Sequence, residues 1–93
     1  MLLRGGITTK EVDIITNDLH IRLQKERERY SIGKTARGKT VSRKVIAELM
    51  GIPSRCISQY ERGDRKPSVE TLVKIAEFYG TSTDYLLGLK EER

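Results

Sequence analysis

The chain is poor in the residues that staple, stack or coordinate. Among its 93 residues there is no tryptophan, one phenylalanine, one cysteine and one histidine. Any core must therefore be built mainly from aliphatic side chains. A platform for stacking single-stranded bases needs several aromatics on a basic surface, and the four tyrosines fit core edges better. Cys56 cannot close an internal disulfide by itself, which fits a reducing compartment. With no second histidine and no cysteine cluster, His20 argues against a zinc site and is expected on the surface of a helix. No Ser-His-Asp or paired-carboxylate arrangement stands out, and no cofactor is expected. No apolar run approaches the roughly 20 residues of a membrane span. The opening MLLRGGITTK lacks the apolar stretch of a secretory signal. A soluble, cytoplasmic chain with no membrane partner is the expectation.

What the sequence does have is charge, and the charge is polarised. Charged residues make up 33% of the chain, with a net charge of +5. Residues 22–44 hold nine Lys and Arg against Glu26 and Glu28, a net +7. Residues 67–93 hold Lys74, Lys90 and Arg93 against five acids, a net −2. A basic side facing phosphate and a neutral-to-acidic side facing solvent would give this pattern. Glu26 and Glu28 are most simply a solvated face balancing the neighbouring arginines.

Strand-like alternation is absent, and helical spacing recurs, so the fold class is all-α. A first helix is expected over about Asp18–Tyr30, with Leu19, Leu23 and Tyr30 inward. Glu26 spoils its pattern by falling where an apolar residue belongs. Thr8 and Glu11 are spaced as a capping box for an additional short N-terminal helix carrying Val12, Ile15 and Leu19, which either runs into the first helix or breaks near Asn17. Later helices are expected over about Arg43–Met50, about Pro53–Arg62, from near Ser68 to Gly80, and over about Thr83–Leu87. The fourth carries Leu72, Ile75, Ala76 and Tyr79 at helical spacing.

Residues 41–63, VSRKVIAELMGIPSRCISQYERG, are the most informative stretch. Ser42 is a helix cap flanked by Val41 and Ile46 as a hydrophobic staple. Ala47 is small where two helices nearly touch. Gly51 suits a left-handed exit, and Ile52 is pushed to extended geometry by Pro53. Ile57 can return to the core, and Gly63 closes the second helix. Two short helices joined by a tight turn result. The pattern, continued through YERGDRKPSVETLVKIAEFYGTSTDYLLG, resembles the lambda-repressor-like (Xre/Cro type) helix-turn-helix family over roughly Asn17 to Gly88. The resemblance implies a compact five-helix bundle at 17–88, with 1–16 as an N-terminal extension and 89–93 as a C-terminal tail. It also implies a transcriptional regulator, most simply a repressor, that reads a double-stranded DNA operator as a homodimer, near the nucleoid of a bacterial or phage-infected cell.

On the third helix Arg55, Gln59 and Arg62 share one face, with Ser54 at its start, while Ile57 and Tyr60 look inward. Arg can fork to guanine O6 and N7, Gln can pair with adenine N6 and N7, and Ser reaches either kind of edge. The family's base-contacting positions carry over onto Ser54, Arg55 and Gln59. Phosphate contacts are expected from Arg43, Ser58, Arg62, Arg65, Lys66 and Lys39. Arg43 stands where the family usually has Gln, which touches phosphate and steadies a base-reading side chain; Arg can do the first. Glu61 pairs in the family with an arginine of the first helix, matched here to Arg27, or to Arg22 or Arg29 if the alignment slips.

Two other functional classes stay in view. Members of the family also act as antitoxins or as targets of small antagonists, so a toxin or antagonist partner could use Val12, Ile14, Ile15 and Leu19; the simpler reading is that these residues cover the bundle's own core. Gly33–Thr40, GKTARGKT, matches the phosphate-binding loop pattern of nucleotide enzymes letter for letter. That loop needs an apolar strand before it, and ERERYSI is charged. Without such a strand it is a basic loop, either solvated or touching flanking DNA. Cys56 beside the reading face is a space-filling side chain before it is a redox switch.

Overall fold

The computed structural model describes residues 18–32 and 40–93. The additional N-terminal helix, Val12, Ile14, Ile15, Lys39 and all but Thr40 of the GKTARGKT loop lie outside the described residues. Five α-helices are described: α1 Leu19–Ile32, α2 Arg43–Met50, α3 Ser54–Arg62, α4 Val69–Tyr79 and α5 Thr83–Leu87. There is no strand among the described residues.

Local chemistry starts and stops each later helix. Ser42, Ser68 and Ser82 have extended backbones and accept from the amides of Val45, Thr71 and Tyr85, so three helix N-termini each have one orphan donor satisfied. Pro53 precedes α3, and its fixed φ leads the chain into the first turn. The short connection Gly51-Ile52-Pro53 turns α2 into α3. Gly51 adopts φ +74°, and its amide reaches back to the carbonyls of Ala47 and Glu48. That left-handed exit costs an L side chain roughly 1–2 kcal/mol, which is why glycine stands there.

The core is aliphatic and continuous. Leu19 and Leu23 of α1, Ile46, Ala47 and Met50 of α2, Ile57 and Tyr60 of α3, Leu72, Ile75 and Ala76 of α4, and Leu86 of α5 are all buried. Ile46 and Leu86 are wholly inaccessible to solvent. Burying each such side chain contributes roughly 1.5–3 kcal/mol relative to leaving it exposed. Val41, just before the Ser42 cap, is half-buried and packs on this cluster, to which Ile46 belongs. Leu19 is core, so it is not available to a partner surface.

α1 departs from expectation in three ways, each with a physical cause. It runs to Ile32, because Ser31 is buried and its hydroxyl donates to the Arg27 carbonyl while accepting from the Val41 amide. Glu26 is not on a solvated face but 1% exposed, where Arg93 grips its carboxylate. His20 is half-buried rather than on the surface, and its ring lies against Gly63 at the end of α3. Tyr30, Phe78 and Tyr79 form a small aromatic group between α1 and the end of α4, with Tyr30 and Phe78 ring centres 5.0 Å apart.

Candidate nucleic-acid interface

α3 is held by one face and presents the other. Ile57, Tyr60 and Glu61 are buried. Ser54, Arg55 and Arg62 are exposed, and Ser58 and Gln59 are half-buried. Arg55 and Gln59 are four positions apart, so their side chains leave the helix about one turn apart on the same side. Cys56 is half-buried and packs against the core.

The inward face is anchored by polar contacts as well as apolar ones. Glu61 is 2% exposed, and its carboxylate accepts from three arginine nitrogens. Arg27 donates from Nε at 2.9 Å to Oε2 and from Nη2 at 3.0 Å to Oε1. Arg43 donates from Nε to Oε1 at 2.9 Å. Arg27 also donates from Nη1 to the Val41 carbonyl at 2.8 Å, just before α2 begins. The Glu61 hydrogen bond holds the Arg27 guanidinium above its usual pKa, against the opposing effect of burial. Gln24 of α1 donates to the Glu61 carbonyl at 2.6 Å, which satisfies an end group of α3. One carboxylate thus ties α1, α2 and α3 together, and buried charges of this kind demand such partners.

The remaining basic residues are distributed around α3. Arg62 donates to Asp64 at 2.8 Å, and both side chains are more than half exposed. Arg65 and Lys66 are exposed on the connection to α4. Arg43 begins α2 with 40% of its side-chain surface open to solvent. Sequence reasoning missed Gln24 as an anchor of α3 and missed Arg43 as a second partner of Glu61. The first had no signal, since glutamine on a helix is unremarkable. The second had a faint one: two consecutive cations, Arg43 and Lys44, open a helix that has no acid in its first turn.

Among the described residues no group of three or more His, Cys, Asp or Glu could hold a metal ion. No helix there is long and apolar enough to cross a membrane.

Two short helices at a tight Gly-Ile-Pro turn, braced by α1 from behind and followed by α4 and α5, define a helix-turn-helix domain. The Helix-turn-helix family model matches residues 34–86, and the chain belongs to that family, in its lambda-repressor-like form. It is similar to three proteins of Bacillus subtilis (strain 168). The HTH-type transcriptional regulator ImmR is 44% identical over 59 residues, covering 62% of this chain and 46% of that protein. The HTH-type transcriptional regulator AnsR is 36% identical over 55 residues, covering 59% and 47%. The SPbeta prophage-derived uncharacterized HTH-type transcriptional regulator YonR is 35% identical over 60 residues, covering 64% and 54%. The chain spans about half the length of the curated relatives it matches.

Proposed function

We propose that this chain binds double-stranded DNA sequence-specifically and regulates transcription, most simply as a repressor, by laying α3 in the major groove. The observation that carries the reading is the division of α3. Ile57, Tyr60 and Glu61 fix the helix to the core, while Ser54, Arg55 and Gln59 present donors and acceptors on an apolar-free outer face. Arg55 forks to guanine and Gln59 pairs with adenine, each such pair being worth about 1–3 kcal/mol of base discrimination. Arg43, Ser58, Arg62, Arg65, Lys66 and Lys39 meet phosphates around that contact and set register. The relatives' names, all transcriptional regulators, support the same reading.

One domain covers a few base pairs, so an operator-binding form is a homodimer on two half-sites roughly 34 Å apart, one turn of duplex. Repression follows from occupying a promoter. Fluorescence anisotropy on labelled duplex at rising salt tests the electrostatic part. The logarithm of affinity should fall against the logarithm of salt with a slope of about −0.9 per phosphate contacted. Binding that ignores salt contradicts the assignment.

A further inference from the structure

We propose that Glu61, buried and out of reach of any base, is a positioning residue for DNA binding: it fixes Arg43 so that the free end of its guanidinium meets a backbone phosphate at the start of α2. The inference rests on the DNA-binding reading above and assigns Glu61 a role beyond its ion pair with Arg27.

Three observations carry it. First, Arg43 is tethered by its inner nitrogen alone. Nε donates to Glu61 Oε1 at 2.9 Å, and the two terminal Nη nitrogens hold no partner among the described residues. A guanidinium bound at Nε has only its orientation restricted, and its two outer nitrogens are left as a fork of the kind that matches phosphate oxygens. Second, the cluster is short of one negative charge. Arg27 and Arg43 share the single carboxylate of Glu61, so the three groups carry a net +1. Third, Arg43 and Lys44 open α2, which has no acid in its first turn. Cations are unfavourable at the positive end of a helix, where anions bind well. Glu61 supplies one carboxylate from outside the helix, and a phosphodiester supplies the second anion.

The consequence is a mechanical link between the two kinds of contact. Glu61 belongs to α3, which reads bases, and the arginine it holds belongs to α2. Movement of α3 in the groove therefore moves the phosphate fork with it. Ser42 caps the same turn, so the helix start to which Arg43 is attached is itself fixed.

The test uses the full chain on a labelled 20-base-pair duplex of arbitrary sequence, with affinities corrected for the folded fraction at the assay temperature. Arg43→Gln should weaken binding about tenfold and reduce the salt slope by about 0.9. Glu61→Gln removes a negative charge, so simple electrostatics predicts tighter binding to DNA. Positioning predicts the opposite, a loss of about three- to tenfold in the folded protein. The double variant should bind no more weakly than Arg43→Gln alone, because both changes disable one contact.

Tighter binding by Glu61→Gln, or losses that multiply in the double variant, would overturn the proposal. Should Glu61→Gln fail to fold, Arg43→Lys decides. It keeps the charge and removes the fork, and it should lose at least about threefold in affinity with an unchanged salt slope. Wild-type affinity in that variant would equally overturn the role. A wild-type chain that binds no duplex at any salt removes the DNA reading itself, an outcome distinct from variants that behave otherwise than stated.

Discussion

Glu26 in the middle of α1 and Arg93, 67 residues further along the chain, form a two-pronged ion pair. Arg93 Nε lies 3.1 and 3.0 Å from the two carboxylate oxygens of Glu26, and Nη2 donates to the same carboxylate and to the Tyr79 carbonyl. The carboxylate raises the Arg93 pKa above its usual value. The residues after α5 are thereby fastened across the end of α4 to the back of α1.

Removing Arg93 leaves a buried carboxylate with only Arg29 at 3.6 Å. Breaking a fully buried pair costs roughly 3–5 kcal/mol. Here 31% of the Arg93 side chain is exposed and Arg29 remains, so Arg93→Ala should cost about 1–3 kcal/mol. Urea unfolding at neutral pH measures it. A change within about 0.5 kcal/mol, the range of an ordinary surface substitution, would show that Glu26 is solvated after all.

Gly63 should not tolerate a side chain. Its φ is +81°, and a Cβ there would stand 3.2 Å from His20 Cγ. Gly63→Ala therefore carries a left-handed penalty of roughly 1–2 kcal/mol, with an added cost for displacing a half-buried ring. Gly51→Ala, at φ +74° with open space around it, should show the left-handed penalty alone. Equal losses at the two sites, measured by thermal unfolding, would mean that His20 gives way freely.

Stability at high pH should depend on Tyr79. Burial, followed by the Glu61 carboxylate, raises its phenol pKa above the usual value, with Arg27 opposing. A folded-state pKa above the unfolded one favours the protonated form. That contribution is complete below about pH 10 and is lost as pH rises through the folded value. Tyr79→Phe should thus be nearly neutral at pH 7 and lose less stability than wild type above pH 10. Parallel stability curves for the two proteins across pH 9–11 would contradict this.

Base and phosphate contacts should separate by their sequence dependence. Arg55→Ala should cost about 1–3 kcal/mol on the preferred site and relax the choice at one base pair. Lys66→Ala should weaken binding to all sequences alike and shallow the salt slope by about 0.9. An unchanged preferred sequence in Arg55→Ala would place the reading face elsewhere.

The parts of the fold that could be read from sequence are those set by local chemistry. Ser42 as a cap, Gly51 as a left-handed exit, Gly63 as the end of its helix, and the apolar spacing of α4 all act within one or two turns. α1 was harder to read because its inner side carries Glu26, Arg27 and Ser31 among its leucines. Their burial depends on partners 10 to 67 residues away, Arg93, Glu61 and Val41. A polar residue facing inward looks like a solvated one until its partner is known. The same holds for the candidate interface. Helical periodicity put Arg55 and Gln59 on one face, but the sharing of Glu61 between Arg27 and Arg43 is a tertiary fact. No spacing rule brings residues 27, 43 and 61 to a single carboxylate.

The most direct measurement is a selection of random duplex DNA by the purified chain at near-physiological salt, read out by sequencing. A domain that reads bases through Ser54, Arg55 and Gln59 should enrich a motif of two half-sites about one helical turn apart. Arg55→Ala should lose the preference at one position of that motif. A folded protein that enriches no sequence would contradict operator recognition through α3 and would turn the search to a protein partner.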